Sequence, residues 1–263
     1  MINITSSESN LILPAKKIAQ QWGFIYSNTP KTSFFLQLTS QNLQLIQTTK
    51  QHKNTKNLPG PISIDFTSGQ VAHRRLFGGG KGQTIAKAMG LNKTPMPLIL
   101  DATAGMGKDA FVFASLGAKV ILMERSPMVA ALLNDALQRG LTDKEVAPII
   151  QRMQLIYSDA INLNNNTFSE IIPDVIYLDP MFPHKKKSAL VKKEMLAFQQ
   201  IIGADADSDQ LLKICQQFAQ KRVVVKRPIK APFLDNSIPS FSMKMKKHRF
   251  DIYLCPAIDK NIS

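Results

Sequence analysis

The sequence predicts an α/β fold whose main sheet is mostly parallel, and three observations support this prediction. Apolar runs of strand length alternate with helical patterns from Met96 to about Lys226. Several of these runs end at an acidic residue followed by a turn, which is typical of strands that carry a ligand site at their carboxyl ends. Two further strand-like runs close the chain and predict a C-terminal antiparallel hairpin. Alternation of this kind places helices on both faces of the sheet.

The chain of 263 residues is predicted to contain two units, with a boundary near residue 61. Residues 1–61 are rich in Gln and Asn and contain strand-like runs at 34–38 and 43–46, so we expect a small β-rich accessory unit. The segment Leu-Pro-Gly-Pro at 58–61 is typical of a loop and marks the boundary. Residues 62–263 then form the larger unit, which contains the mostly parallel sheet.

Periodicity and turn residues divide the larger unit into individual strands and helices. Alternating or continuous apolar runs predict strands at 62–66, 97–100, 119–123, 153–157, 174–178, 222–226, 241–246 and 249–254. Helical spacing of apolar residues predicts helices at 81–89, 108–116, 127–139, 188–202 and 208–220. Ser126 and Pro127 suit a helix start, whereas Gly90 and Gly140 are predicted to end the helices that precede them.

Charge is the strongest compositional signal, because 33 Lys and Arg against 19 Asp and Glu give a net charge of +14. An excess of this size favours a polyanionic partner through counterion release, so we expect a nucleic acid partner. We expect neither a transmembrane helix nor a secretory signal, since no suitable apolar run is present. Cys215 and Cys255 are far apart and are expected to be free thiols in a reducing cytoplasm, with no metal site. The sequence does not indicate an oligomeric state.

A small-residue turn between the strand at 97–100 and the next helix is a candidate cofactor site. Asp101 ends the strand, and Gly105 and Gly107 would let a ligand approach the backbone and the N–H donors of the helix start. Glu124 ends the following strand, where an acidic side chain can bind the two hydroxyls of a ribose. The third glycine of a dinucleotide-binding motif would fall at Ala110, so a nicotinamide enzyme remains an alternative.

The segment Asp-Pro-Met-Phe-Pro at 179–183 is the candidate reaction centre. Pro180 and Pro183 make the loop rigid and remove two backbone donors, which leaves Asp179 and the carbonyl groups as acceptors for an amine. Phe182 could stack on a base. Since an amine that attacks a methyl sulfonium needs positioning more than a strong base, this arrangement suits methylation of a nucleobase amine. A helix-entry loop with a buried phenylalanine is the alternative.

Basic clusters near the predicted carboxyl ends of strands indicate a track for nucleic acid phosphates. The predicted RNA-binding residues are Arg74, Arg75, His184, Lys185, Lys186, Lys187, Lys226 and Arg227. The clusters are extended by Lys192, Lys193, Lys230, Lys244, Lys246, Lys247 and Arg249. The glycine-rich segment at 72–83 lacks the spacing of a Walker A loop, and it is predicted to contact RNA, to cover the cofactor or to form a surface turn.

Two of these segments resemble known families. Asp-Ala-Thr-Ala-Gly-Met-Gly-Lys-Asp-Ala-Phe at 101–111 resembles motif I of the class I methyltransferases that depend on S-adenosylmethionine (SAM). Tyr-Leu-Asp-Pro-Met-Phe-Pro-His-Lys-Lys-Lys at 177–187, with the residues that follow to 195, is more specific and resembles the bacterial 16S ribosomal RNA guanine-N2 methyltransferases of the RsmJ family. The segments at 124–133 and 223–228 also fit that family's pattern.

The resemblance implies a Rossmann-like class I methyltransferase fold, SAM as the cofactor, and transfer of a methyl group to N2 of a guanine in 16S rRNA, either as RNA or in the small ribosomal subunit. Together with the residues themselves, it gives the expected cofactor contacts Asp101, Gly105, Gly107, Lys108, Asp109, Glu124, Arg125, Asp159, Ala160 and Asp179. The expected catalytic residues are Asp179, Pro180 and Phe182. An enzyme that methylates another base amine in RNA or DNA and a non-catalytic assembly factor remain alternatives.

Overall fold

The computed structural model describes residues 1–48, 60–68, 80–92, 95–164, 172–181, 201 and 208–256. Within these residues the chain forms a four-stranded sheet near its N-terminus and a seven-stranded sheet. The prediction of an α/β fold is confirmed. The apolar core extends from the small sheet to one face of the large sheet, since Ile4, Leu36 and Phe111 belong to the same buried cluster.

The N-terminal region contains a helix that the sequence analysis does not predict. Its elements are β1 (Asn3–Ser6), α1 (Ile12–Trp22), β2 (Ile25–Tyr26), β3 (Phe34–Leu38) and β4 (Leu43–Gln47). The strand order is β2-β1-β3-β4, with β1 parallel to β2 and β3, and β4 antiparallel to β3. β3 and β4 match the two predicted strands. The buried positions of α1 are Ala15 and Ala19, whose small side chains give a weak apolar signal.

The prediction of a strand at 62–66 is wrong. Ile62 forms only an isolated bridge to Leu45, through backbone hydrogen bonds of 2.7 and 3.0 Å. The alternating apolar residues of this segment are buried, as the pattern predicts, and Phe66 stacks on a core phenylalanine. The carboxylate of Asp65 accepts hydrogen bonds from the residues that follow it, which turns the chain away from a strand. The alternating pattern therefore identifies a buried face here, but it does not supply a partner strand.

The large sheet contains β5 (Leu98–Asp101), β6 (Lys119–Glu124), β7 (Met153–Tyr157), β8 (Val175–Leu178), β9 (Arg222–Pro228), β10 (Phe241–Lys244) and β11 (His248–Leu254). The strand order is β10-β11-β9-β8-β5-β6-β7. The strands from β5 to β9 are parallel, and β11 is antiparallel to both of its neighbours, as the predicted hairpin requires. The chain order reverses at β5, which pairs with β6 on one side and β8 on the other. Ligands bind beyond the carboxyl ends of the strands at such a reversal.

The helices that cover the large sheet are α2 (Thr84–Ala88), α3 (Lys108–Ser115), α4 (Pro127–Thr142), α5 (Ala147–Ile150) and α6 (Ser208–Phe218). The prediction that Gly140 ends α4 is wrong, because the helix continues to Thr142. A Cβ atom at Gly140 would lie 2.8 Å from Cγ1 of Ile150, so the glycine lets α5 pack closely on α4. The predicted helix at 188–202 lies outside the described residues except for Ile201, which is helical.

Candidate active site

Acidic residues converge at the carboxyl edge of the large sheet, as the sequence predicts. Asp101 ends β5, Glu124 ends β6 and Asp179 follows β8. The backbone N–H of Asp179 donates to the hydroxyl of Thr103 at 2.7 Å, and the backbone N–H of Thr103 donates to Oδ1 of Asp101 at 3.2 Å. Thr103 therefore joins the ends of β5 and β8. Sequence reasoning misses this role, because a threonine in a small-residue turn carries no distinctive signal.

The two glycines of the turn after β5 have different structural roles. Both have a positive φ, +52° at Gly105 and +68° at Gly107, which other residues adopt only with strain. A Cβ atom at Gly107 would lie 2.9 Å from Cδ1 of Leu133 and 3.1 Å from Cζ of Phe66, so this glycine permits packing of the core. A Cβ atom at Gly105 would meet only the carbonyl oxygen of Thr103 at 3.9 Å. Gly105 thus leaves room for a ligand at the start of α3.

Glu124, at the end of the neighbouring strand, stabilises the glycine turn through hydrogen bonds. Its side chain is only 5% exposed. Oε2 accepts the backbone N–H of Gly105 at 2.9 Å, and Oε1 accepts the backbone N–H of Ser126 at 2.7 Å. A carboxylate oxygen has lone pairs for more than one hydrogen bond, so these contacts are compatible with a further contact to a ribose hydroxyl. That ribose contact stays a prediction.

Lys226 links two carboxylates beside the ends of β8 and β9. Its ammonium lies 2.8 Å from Oδ2 of Asp179 and 2.9 Å from Oδ2 of Asp109, which is in the first turn of α3. The hydroxyl of Tyr177 donates to the same oxygen of Asp109 at 2.8 Å. We call Asp109, Tyr177, Asp179 and Lys226 the carboxylate–lysine cluster. Lys226 was expected to bind RNA, but here its ammonium forms ion pairs within the site.

The electrostatics of this edge depend on the balance between burial and ion pairing. Burial, followed by the charge of Asp109, holds the pKa of Asp101 well above its usual value. Burial also raises the pKa of Asp179, while the ammonium of Lys226 opposes this shift. Since 40% of the Asp179 side chain is exposed and the ammonium lies at 2.8 Å, we expect Asp179 to be ionised near neutral pH. Burial alone would lower the pKa of Lys226, but Asp179 and Asp109 raise it well above its usual value.

The remaining expected cofactor contacts lie around the same edge. Lys108 is the first residue of α3, beside Asp109. Arg125 follows β6 and forms an ion pair of 3.7 Å with Asp159, which follows β7. Oδ1 of Asp159 also accepts the backbone N–H of Ile161 at 3.1 Å, and this bond begins a short 3-10 turn at buried Ala160. The structure therefore brings these residues to the predicted edge, while their contacts with SAM stay predictions.

The predicted RNA-binding residues have different outcomes. Arg227 is only 5% exposed, and its guanidinium donates to the carbonyl oxygen of Pro232 at 3.1 and 3.3 Å, so this conformation does not present it to a phosphate. Among the expected catalytic residues, Pro180 lies within the described part of the chain and is buried. Several predicted site residues lie outside the described residues, namely Arg74, Arg75, Phe182, His184, Lys185, Lys186 and Lys187.

Comparison with known proteins identifies the family. The family model SAM_MT, with the description "Putative SAM-dependent methyltransferase", matches residues 17–255. A ribosomal RNA small subunit methyltransferase J from Pseudoalteromonas translucida (strain TAC 125) is 58% identical over 202 residues, which cover 76% of this chain and 79% of that protein. The chain belongs to the ribosomal RNA small subunit methyltransferase J family. Another relative of that name, from Colwellia psychrerythraea (strain 34H), is 49% identical over 256 residues, or 95% of this chain and 91% of that protein.

A solved structure supports the fold and the enzyme class. The crystal structure of a SAM-dependent methyltransferase from Neisseria gonorrhoeae matches with a TM-score of 0.76 and 29% identity, and the match covers 99% of each chain. The fold class, the enzyme class and the cofactor implied by the sequence are thus confirmed, and the protein is a SAM-dependent methyltransferase. The described site fits SAM, because Gly105 leaves space beside the N–H donors of α3 and Glu124 supplies an acceptor nearby.

The part of the chain that the structure describes also bears on membrane helices, metal sites and the two cysteines. No helix there is long and apolar enough to cross a membrane. That part also contains no group of three or more His, Cys, Asp or Glu side chains arranged to hold a metal ion. Cys215 and Cys255 are both free thiols, as predicted, and burial raises the pKa of the Cys215 thiol.

Proposed function

We propose that the protein transfers a methyl group from SAM to the exocyclic N2 of a guanine in 16S rRNA. The observation that carries this proposal is the position of Asp179 beyond β8 and next to the glycine turn, where Lys226 donates to its carboxylate and the hydroxyl of Thr103 accepts its backbone N–H. The two relatives described above are named for methylation of the small-subunit ribosomal RNA, which supports rRNA as the substrate. The choice of guanine N2 is supported by the family resemblance of residues 177–195.

The chemistry needs alignment more than proton abstraction. Bound SAM supplies a methyl group on a positively charged sulfur, which is already an activated donor, and we therefore expect no metal to be required. The guanine amine would form a bond to the methyl carbon as the carbon–sulfur bond breaks and its electron pair stays on the sulfur, and one proton of the amine would then pass to water. Asp179 accepts a hydrogen bond from the amine and orients its nitrogen towards the methyl group. Alignment of this kind lowers the barrier, because the two reactants are already in the reactive geometry.

Lys226 acts in this proposal as a positioning residue. Its ammonium contacts Oδ2 of Asp179 at 2.8 Å, which fixes the orientation of the carboxylate plane. The same ammonium contacts Asp109, so the carboxylate is tied to the first turn of α3, on the cofactor side of the site. The positive charge also favours the ionised form of Asp179, which is the form that accepts hydrogen bonds at both oxygens.

The target base must leave its stack to reach this edge, as bases do in other enzymes that modify them. We propose that Phe182 stacks on the extruded guanine and that the Pro180 carbonyl accepts a second amine hydrogen. Stacking of a base on an aromatic side chain is worth about 1–3 kcal/mol. For the cofactor, we propose contacts from Asp101, Gly105, Gly107, Lys108, Asp109, Glu124, Arg125, Asp159, Ala160 and Asp179. Glu124 would hold the ribose hydroxyls.

We further propose that the enzyme works in the cytoplasm, where 16S rRNA and the small ribosomal subunit are made. We also propose that the chain has two units, an accessory unit of residues 1–61 and a catalytic unit of residues 62–263. The separate strand order of the N-terminal sheet supports this division. The absence of any membrane-spanning helix from the described part of the chain is consistent with this location.

The test of the proposed function is transfer of a tritiated methyl group from SAM to 16S rRNA and to small ribosomal subunits that lack the modification. We expect incorporation that saturates at one methyl group per RNA. Nucleoside mass spectrometry should then identify N2-methylguanosine. Methylated adenine or cytosine as the product would show that the alternative base is the target, and an absence of incorporation into either substrate would contradict the proposal.

A further inference from the structure

The turn between β10 and β11 forms a compact basic projection. The backbone N–H of Met245 donates to the carbonyl oxygen of His248 at 2.8 Å, which closes the turn. Lys244, Lys246 and Lys247 are all exposed. We call residues 244–247 the basic hairpin tip. The turn is anchored to a stable hairpin, because β11 pairs along its whole length with β9.

The basic hairpin tip lies at the same edge of the sheet as the carboxylate–lysine cluster. Because β11 is antiparallel to β9, His248 at the start of β11 pairs with Pro228 at the end of β9. The backbone N–H of Ile229 also donates to the carbonyl oxygen of Lys247 at 3.3 Å, which fixes the tip beyond the carboxyl end of β9. Lys226, whose ammonium holds Asp179, is only two residues before Pro228 on the same strand.

The residue that follows the tip, His248, lies near the reaction centre. Burial raises the pKa of Asp179, whereas Lys226 and, more weakly, a positive charge on His248 lower it. The imidazole of His248 packs edge-on against Phe250, with ring centroids 5.3 Å apart. His248 is therefore within electrostatic reach of the Asp179 carboxylate, and the lysines of the tip directly precede it along the chain.

The acidic residues nearest to the tip in the sequence form ion pairs with residues outside the tip. Between residues 228 and 250 the sequence contains a single carboxylate, Asp235, and this side chain pairs with Lys213 at 3.2 Å. Asp251 is the next acidic residue, and it pairs with Arg249 at 2.8 Å. The positive charge of the three tip lysines is thus not offset by an acidic residue of its own segment. A cluster of this kind beside an active site attracts a polyanion.

We propose that the basic hairpin tip binds the phosphate backbone of the RNA that flanks the target nucleotide. The proposal rests on the proposed function, since it assigns the RNA contact to one element of that site. An extruded base can be held in position only if the adjoining backbone is also held, and phosphate contacts fix the register of a nucleic acid without reading its sequence. Lysine ammonium groups suit this role, because they bind phosphates as point charges with little geometric demand.

The experiment compares two triple variants that lose the same charge. The first is K244Q/K246Q/K247Q, at the tip. The second is K119Q/K144Q/K221Q, whose exposed lysines lie at the opposite edge of the sheet, since Lys119 begins β6, Lys144 follows the end of α4 and Lys221 directly precedes β9. Of these, Lys221 also pairs with Asp174 at 2.7 Å, so urea denaturation checks that the control variant is folded. Binding to 16S rRNA that lacks the modification is measured between 50 and 200 mM salt, roughly the range over which such contacts are resolved. Methyl transfer by the unaltered protein is measured on the same RNA.

We expect the slope of log affinity against log salt to be smaller in magnitude by about 2–3 for the tip variant than for the unaltered protein. Each of the three phosphate contacts contributes about 0.7–0.9 to this slope. The control variant should keep the slope of the unaltered protein to within about 1, and both variants should bind SAM normally. Equal slopes for the two variants would overturn the inference. If the unaltered protein transfers no methyl group while the slopes differ as expected, the proposed function fails and the RNA contact stands.

Discussion

Two ion-paired clusters lie on neighbouring strands of the large sheet, and they differ in their exposure. In the first, Arg249 of β11 pairs with Asp251 at 2.8 Å, with side chains that are 7% and 0% exposed. In the second, Lys226 of β9 pairs with Asp109 and Asp179, and its side chain is 26% exposed. The difference indicates that the first cluster stabilises the fold, whereas the second presents a carboxylate to a substrate.

The buried cluster is completed by bonds within the hairpin region. Ser242 donates to Oδ1 of Asp251 at 2.5 Å, and the guanidinium of Arg249 also donates to the carbonyl oxygens of Pro228 and Ile229 at 3.2 and 2.8 Å. These bonds lie among β9, β10, β11 and the loop after β9. The carboxylate–lysine cluster instead spans α3, β8 and β9, which are the elements that surround the cofactor turn.

The largest expected effect on stability comes from breaking the buried cluster. Asp251→Ala should lower the free energy of unfolding by about 3–5 kcal/mol, because it leaves the Arg249 charge buried and unpaired. Urea denaturation measures this loss. Ser242→Ala is the matched control, since it removes one hydrogen bond from the same carboxylate and should cost about 1 kcal/mol. A loss below about 1 kcal/mol for Asp251→Ala would remove the structural contrast between the two clusters.

Lys226→Met should instead reduce catalysis more than stability. We expect methyl transfer to fall by about 10- to 100-fold, which corresponds to about 1.4–2.7 kcal/mol of lost transition-state stabilisation. Without the ammonium, the pKa of Asp179 rises further, so the acid limb of the kcat/KM profile should shift to higher pH. The direction follows because the ionised carboxylate of Asp179 is the active form. With a raised pKa, this carboxylate becomes protonated at a higher pH in the variant than in the unaltered protein, so activity is lost earlier as the pH falls.

Lys226→Arg is the control for that prediction. It retains a positive charge beside Asp179, and the acid limb should return towards its original position even if the rate is only partly restored, because the two side chains differ in geometry. Urea denaturation of both variants should show a smaller change than Asp251→Ala. An acid limb that stays in place in Lys226→Met would show that the ammonium does not act through the ionisation of Asp179.

The smallest expected effects concern two glycines of the turn after β5. Gly107 permits packing of the core, whereas Gly105 leaves room for a ligand. Gly107→Ala should lower the free energy of unfolding by about 1–2 kcal/mol from the positive φ alone, and the contacts with Leu133 and Phe66 add to this cost. Gly105→Ala carries a similar backbone cost without those contacts, but it should weaken SAM binding. Calorimetric titration with SAM and urea denaturation separate the two effects. A SAM affinity in Gly105→Ala equal to that of the unaltered protein would contradict the assignment of Gly105 to the cofactor side.

The sequence predicts those parts of the site that depend on local pattern. Asp101, Glu124 and Asp179 are recognised because each follows an apolar run, and the parallel arrangement then brings the strand ends together. The contact between Lys226 and Asp109 joins residues 117 positions apart, and no local pattern reports it. Tyr177 gives a weak signal, since a hydroxyl inside a buried strand needs a partner, but the partner cannot be identified from spacing.

The errors in the fold have similarly local causes. Gly140 was expected to end a helix, because glycine is common after a helix end, but here it serves a close helix contact. The segment at 62–66 has the alternation of a strand but receives only one bridge from a partner. In both cases tertiary packing decides between two uses of the same residue pattern.

The role of Asp179 is tested most directly by methyl transfer by Asp179→Ala under single-turnover conditions, with 16S rRNA that lacks the modification. We expect a loss of at least about 100-fold, comparable to the removal of one well-placed hydrogen-bonding group from an active site. The free energy of unfolding should change less than in Asp251→Ala, which confirms that the variant is folded. Transfer within about tenfold of the unaltered rate would contradict the assignment of the carboxylate–lysine cluster as the reaction centre.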